Sequence, residues 1–409
     1  MEFANSKERH NFKCQLVEGG LYIGTRSLLS PETMFPALIQ RLGGNEIAIG
    51  AIPIIVYLAL LLPQIIGANR YSHLPYRKTI VIRGGFVQRI HVFLLALCVG
   101  FFGGSYPAIA LAGVLILYSL SQMWSGLITP MWGEFVAKTV SPSHRGKLLG
   151  FRTSLGSTLG FLNGFIMVAL LGNVRFPLSY ACIFLLAGIL QMGSLVAQNK
   201  VIEDVPSRSA KPISFVRLYV TVRKILRTNK SFKRFLLSSS LITISFMSVV
   251  FFTVSALKKF SLNESYVGIF TIISIVSQVI SSATLGLLAD KKGSKVGLMI
   301  CAASLISASF LALIAQSVVY YYFVFFFVGI ELGAESFLRY NIAVEYAPSD
   351  ERALYVGLMN AWFAPFYIFS LVGGWIITSF GYSAVFALSI LFGGVGLYCL
   401  YRVPEIRKN

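Results

Sequence analysis

Residues Gly286-Leu287-Leu288-Ala289-Asp290-Lys291-Lys292-Gly293-Ser294-Lys295 place four charges and two glycines between two apolar runs, approximately 265 to 289 and 295 to 316. Each run matches the ~20 helical residues that cross a hydrocarbon core about 30 Å thick. The stretch therefore reads as a short polar turn between two membrane spans. Outward from it the same alternation recurs, giving twelve expected spans. The first six run approximately 12–37, 45–68, 79–102, 107–135, 148–171 and 177–198. The second six run approximately 234–257, 265–289, 295–316, 318–343, 353–379 and 381–402.

Composition agrees with that reading. The 409 residues are 56% hydrophobic and only 12% charged, about half the charge usual in a soluble domain. The first twenty residues carry Lys7, Glu8, Arg9 and Lys13 and lack the apolar core of a cleavable signal, so the N-terminus is expected to be retained. A net charge of +19 would suggest nucleic acid in a soluble protein. Here the cations concentrate in the termini and in the loops after even-numbered spans. Loops after odd-numbered spans carry only Arg41, Arg175, Lys258 and Lys259. That asymmetry is a topology signal and places both termini in the cytoplasm, with a bacterial inner membrane as the expected location and no nucleic-acid partner. Cys14, Cys98, Cys182, Cys301 and Cys399 lie far apart in apolar segments and form no disulfide framework or metal cluster. No phosphate loop or zinc-protease motif occurs, and His10, His73, His91 and His144 are scattered, so neither an enzyme nor a bound cofactor or metal is expected.

The chain also repeats itself. Pro142-Ser143-His144-Arg145-Gly146-Lys147-Leu148-Leu149-Gly150 follows span 4, and Pro348-Ser349-Asp350-Glu351-Arg352-Ala353-Leu354-Tyr355-Val356-Gly357 follows span 10, with the same Arg-to-Gly spacing. Gly67-Ala68-Asn69-Arg70 with Arg77-Lys78 closes span 2, six spans before the opening stretch. Parallel repeats of six spans are a layout in which two halves flank a site of alternating access. The expected division is a six-helix bundle over 1–198, a basic linker over 199–233 and a second bundle over 234–409. In the linker, Phe215, Leu218, Tyr219, Val222, Ile225 and Leu226 recur at helical spacing with Arg217, Arg223, Lys224 and Arg227 between them. This suggests an amphipathic helix on the inner leaflet.

The stretch Gly286–Lys295 resembles the signature loop of the major facilitator superfamily, with Ser294 where a further basic residue is usual. In the first half the aspartate position is Tyr71, and Pro75 replaces a glycine. The resemblance implies an all-α membrane protein of twelve helices in two pseudo-symmetric bundles, working as a secondary transporter. It gives Gly286, Asp290, Lys291, Gly293 and Lys295 the role of an inner-gate latch, docking near Arg145 and Lys147. Glu134 and Arg352 join this group as candidate gate residues. It further implies that spans 1, 4, 7 and 10 line a central cavity.

Those spans hold the polar residues that a lipid-facing helix cannot carry. Span 10 has Glu331, Glu335 and Arg339 at four-residue spacing along one helix side. A charge at mid-bilayer costs about 2.5 to 3.5 kcal/mol even on insertion scales, so this stripe faces a bundle interior or a wet cavity. Span 1 contributes Glu18, Arg26 and Glu32; span 4 contributes Gln122, Trp124, Trp132 and Glu134. Glu331, Glu335, Arg339, Arg26, Gln122, Trp124 and Glu18 form the candidate substrate and proton site. The stripe has one carboxylate more than Arg339 neutralises, which motivates proton coupling at Glu331 or Glu335. A fixed ion pair of Arg26 with either carboxylate accounts for the same residues. Arg89, deep in span 3, has no evident partner. Gly156, Gly160 and Gly164 on span 5 read as a packing ladder, because Phe161 stands where an antiporter signature has proline.

The expected activity is alternating-access transport of a small organic solute by a monomer in contact with membrane lipid. Acidic and aromatic residues favour efflux of a lipophilic cation, whereas Arg26 and Arg339 favour an anion or zwitterion. Lipid or lysolipid movement, and a scaffold that no longer transports, remain open at this level.

Overall fold

The computed structural model describes residue 3 and residues 5–71, 73–207, 215–348 and 351–404. Ser349 and Asp350 of the second repeat lie outside the described residues. So do linker residues 208–214 and the side chains of the expected amphipathic positions Phe215, Arg217, Leu218 and Tyr219.

Among the described residues all regular structure is helical: α1 (Ser6–Gly24), α2 (Met34–Arg41), α3 (Glu46–Tyr71), α4 (Lys78–Phe102), α5 (Pro107–Thr139), α6 (Pro142–Asn173), α7 (Leu178–Asn199), α8 (Phe215–Thr228), α9 (Lys230–Ser245), α10 (Val249–Lys259), α11 (Ser265–Lys292), α12 (Ser294–Ile314), α13 (Val318–Tyr346), α14 (Arg352–Phe363), α15 (Phe369–Phe380) and α16 (Tyr382–Tyr401). Helix starts follow local chemistry. Asn5 and Asn229 accept the first-turn N–H groups of Glu8 and Phe232. Pro107 and Pro142 open α5 and α6, where a missing N–H costs nothing.

Eleven helical segments are long and apolar enough to cross a membrane, one fewer than the twelve uninterrupted spans expected. The difference lies in the first. Its helix stops at Gly24 and resumes only at Met34. Thr25 and Ser27 turn their hydroxyls back onto the carbonyls of Tyr22 and Gly24, taking acceptors that a continuing helix would use. Pro31 then follows without an N–H to offer. Thr25, Ser27, Leu28 and Ser30 are buried, as non-helical backbone at membrane depth must be. Two further spans each contain a short 3-10 step, at Phe246–Ser248 and Ala364–Ile368.

The chain forms two compact units. One comprises Met1–Ser30, Arg41–Gly43 and Ile55–Ile213; the other comprises Pro31–Gln40, Gly44–Ile54 and Ser214–Asn409. The expected division assigned residues 31–54 to the first bundle, whereas most of them pack in the second unit. In the first unit α1 lies against α6 through glycines on both helices: a Cβ at Gly20 would press on Leu155, and one at Gly156 on Ile23. Asn163 of α6 also donates to the Gly24 carbonyl. The start of the linker is strapped to this unit. Asn11 exchanges two hydrogen bonds with Ile202, and Glu203 accepts from Lys138 and from the backbone N–H groups of Arg77 and Lys78.

In the second unit α2 and the first turns of α3 are held by several contacts. Lys258 Nζ lies 2.7 Å from Glu46, which also accepts from the Tyr382 hydroxyl. Ser370 donates to the Gly50 carbonyl, Thr33 and Thr271 share a hydroxyl bond of 2.7 Å, and Thr253 donates to the Glu32 carbonyl. The linker helix α8 packs Val222, Ile225 and Leu226 onto the same core as Phe232, Phe235 and Tyr355. Protein therefore covers the described part of its apolar face.

Candidate functional site

In the second unit the span 10 stripe lies on α13, and glycines set its orientation. Gly329 and Gly333 press α13 onto α11, where a Cβ at either would collide with Ser277 or Ser281. Glu331 and Glu335 sit two residues from these glycines, about 200° around the helix, so they point away from α11. Glu335 is half-buried and lies 2.5 Å from Arg339 Nε. The Arg339 guanidinium stands 4.4 Å over the Phe363 ring and donates to the Ser239 carbonyl at 3.5 Å. Glu331 is only 5% exposed. Glu335, Arg339 and Glu32 lie within its electrostatic reach, yet among the described residues no hydrogen bond or ion pair reaches its carboxylate.

A second buried charged centre occupies the first unit. Arg152 of α6 meets Glu18 of α1 at 2.7 Å, each 3% exposed. Arg152 lies 4.8 Å from the Trp132 ring centroid and donates to Gln15 at 3.4 Å. Gly19 makes the approach possible, since any Cβ there would overlap the Arg152 side chain. Arg89 is buried close by. It donates to the Gln191 and Gly85 carbonyls, to Ser194 and to Gln88, with Tyr22 beneath it at 5.4 Å. Its partners are thus backbone, amide and hydroxyl oxygens, of which Gln191 and Ser194 tie α4 to α7, and the partner missing from the sequence reading is a set of acceptors with no carboxylate.

The remaining candidates spread over both units. Gln122 donates to the Tyr118 hydroxyl, and half-buried Trp124 packs by Gly84. Arg26 is exposed in the break between α1 and α2. Glu134 pairs with Arg77 at 2.7 Å. Arg145 donates to the Val140 and Ala137 carbonyls and so closes the end of α5. In the signature stretch Gly293 adopts φ +90°, a conformation that favours glycine, between α11 and α12. Lys295 caps α16 through the Tyr401 and Val403 carbonyls at 2.9 and 2.6 Å. Ser294 donates to Glu345 at 3.2 Å. Asp290, Lys291 and Arg352 are exposed, and Gly286 faces open space.

Sequence reasoning missed Arg152, which stands five residues after Lys147 and so looks like another cation at a cytoplasmic helix end. The available signal was Gly19 beside Glu18, a gap on α1 able to admit a long side chain.

The geometry defines an integral, multi-pass membrane protein, and solved structures of transporters that cover almost the whole chain share its fold. The nucleoside transporter NupG, in a mutant form, superposes with a TM-score of 0.72 at 13% identity over 98% of this chain and 100% of that one. A POT family transporter in complex with 5-aminolevulinic acid gives 0.73 at 15% identity over 98% and 96%. A bacterial homolog of the human lysosomal transporter Spinster gives 0.63 at 11% identity over 98% and 95%. No curated protein sequence matches the chain at a significant level. Residues 236–409 match the family model of the Major Facilitator Superfamily. The second half of the chain thus matches that superfamily by sequence, and the whole chain shares the fold of these solved transporters.

Proposed function

We propose that the protein is a proton-coupled secondary transporter that moves a small polar organic solute by alternating access, with Glu331 as the group that takes up and releases the proton. The observation that carries this reading is the isolation of Glu331, 5% exposed and without a hydrogen bond or ion pair among the described residues. Arg339 is committed to Glu335. Protonation removes most of the cost of an uncompensated carboxylate at that depth, and release to a wet pathway restores the charge. NupG and the POT family transporters act on nucleosides and peptides, and a solute of that size is the starting choice here. The predicted inner-membrane location with cytoplasmic termini, the lining role of Gln122 and Trp124, and the latch role of Asp290 and Lys291 belong to the same proposal.

The test is uptake into proteoliposomes under an imposed pH gradient, screened over nucleosides, short peptides and amino acids. Wild type accumulates its substrate above equilibrium and stops when a protonophore is added. Glu331→Gln is expected to keep substrate exchange while losing gradient-driven accumulation. Undiminished accumulation by Glu331→Gln sinks the assignment.

A further inference from the structure

Asn11, Gln15, Glu18, Tyr22 and Thr25 follow one another at three- and four-residue spacing, so they form one stripe along α1, about 21 Å long. In a helical bundle such a stripe normally holds leucine or isoleucine, because it is the seam packed against neighbouring helices. Here all five are polar, and all but half-buried Tyr22 are buried. α6 and α7 pack on α1, and α7 presents Gln191 to Thr25 and Ser194 to Arg89. The charged and titratable groups around Glu18 are Arg152 from α6, Arg89 from α4 and Tyr22 on α1 itself. α5 adds Trp132, and α7 carries no charged residue.

The seam is more polar than its own groups can satisfy. Among the described residues Nε2 of Gln15 and Oε1 of Gln191 have no hydrogen-bond partner, although the two residues are 0% and 4% exposed. Gln15 lies one turn before Glu18, and Gln191 meets Thr25 two turns after it, so the bare atoms bracket the Glu18–Arg152 pair. The side-chain links along the seam are long. Arg152 to Gln15, Gln88 to Tyr22 and Tyr22 to Ser125 measure 3.4 Å, and Gln191 to Thr25 measures 3.3 Å, against the ~2.9 Å of a close bond. One bare atom is a donor and the other an acceptor. Water meets both, whereas a bound anion would leave Oε1 of Gln191 unmet and a bound cation Nε2 of Gln15. Polar groups left bare at membrane depth are costly, and buried water bonded to several of them is their usual partner. We infer that the seam holds a file of ordered water that links the Glu18–Arg152 pair to the break after α1 and gives this pair a proton route separate from Glu331. Steps of about 4.5 to 6 Å separate Glu18, Tyr22 and Thr25 along the helix axis, each spanned by one or two waters. The break end stands beside exposed Arg26. At the other end Asn11 exchanges two hydrogen bonds with Ile202, so the start of the linker caps the file.

The experiment is X-ray radiolytic labelling of the purified full-length protein in lipid nanodiscs, read by mass spectrometry, because radicals born from bound water mark the side chains beside it. Tyr22 and Trp132 are expected to be labelled, while fully buried Phe135 and Phe184 stay unmarked. Gln15→Leu/Gln191→Leu removes both bare groups at similar side-chain size. It should lower labelling of Tyr22 and Trp132 severalfold and leave that of exposed Tyr106 and Trp375 unchanged. Its unfolding temperature reports whether it is folded, and Gln191→Leu alone serves as the milder change. Infrared spectra after dilution into heavy water read the proton route, with a slow-exchanging arginine fraction larger in the double variant than in the wild type. Glu331→Gln should label as the wild type does, which keeps this inference apart from the assignment of the proton there. Unmarked Tyr22 and Trp132, labelling unchanged in the folded double variant, labelling that depends on chloride, or equal arginine exchange in the two proteins overturns the inference.

Discussion

Glu331 and Glu335 stand four residues apart on one helix and differ in what meets them. Glu335 has Arg339 at 2.5 Å, while Glu331 has burial without a partner. Glu331→Gln should therefore leave thermal stability unchanged, because it replaces a carboxyl that is neutral in its proposed role with a neutral amide of nearly the same shape and breaks no bond. Glu18 and Arg152 behave in the opposite way. Removing one member of a buried pair strands the other, so Glu18→Ala should destabilise by about 3 to 5 kcal/mol in denaturant titration. Gly19→Ala, which adds a single methyl group beside the Arg152 side chain, should cost about 1 to 3 kcal/mol by overpacking. At this scale the sequence was informative where spacing places residues on one helix, as with Glu331, Glu335 and Arg339. It was silent where partners come from distant helices. Arg152 reaches Glu18 across 134 positions, and Arg89 finds acceptors on α7 about a hundred positions away.

At the scale of elements, hydropathy located the spans but not the break in the first of them. A sliding apolar average does not register that Thr25 and Ser27 compete for the carbonyls of Tyr22 and Gly24, or that Pro31 cannot restart the ladder. The amphipathic pattern of the linker predicted α8 as a helix. It placed the apolar face on the inner leaflet, whereas Val222, Ile225 and Leu226 pack on the Phe232–Phe235 core. The segment from α2 into α3 can be tested directly. A Cβ on Gly374 would collide with backbone at Glu46 and Ile47, which cannot swing aside. Gly374→Ala should thus speed amide hydrogen exchange through the first turns of α3. Lys258→Ala, which removes a partly exposed ion pair worth at most about 1 kcal/mol, should speed it only slightly. Equal exchange in Gly374→Ala and wild type would show that this approach is not what holds the segment.

At the scale of the molecule, the internal repeat and the signature stretch together pointed to the superfamily, since both depend on turn residues that local geometry demands, such as Gly293 at φ +90°. The site's chemistry was less legible, because whether a carboxylate carries a proton depends on which neighbours three-dimensional packing supplies. The linker offers a test of how its first residues are held. Glu203 collects Lys138 and two backbone N–H groups, so Glu203→Ala should release residues 200–207 to limited proteolysis while leaving the helical content measured by circular dichroism intact. The account as a whole rests on the proton at Glu331, and infrared difference spectroscopy reads that proton without knowledge of the substrate. At neutral pH in lipid, the wild type is predicted to show a protonated carboxyl band that persists in Glu335→Gln and disappears in Glu331→Gln. A spectrum with no such band, or one unchanged by Glu331→Gln, would contradict it.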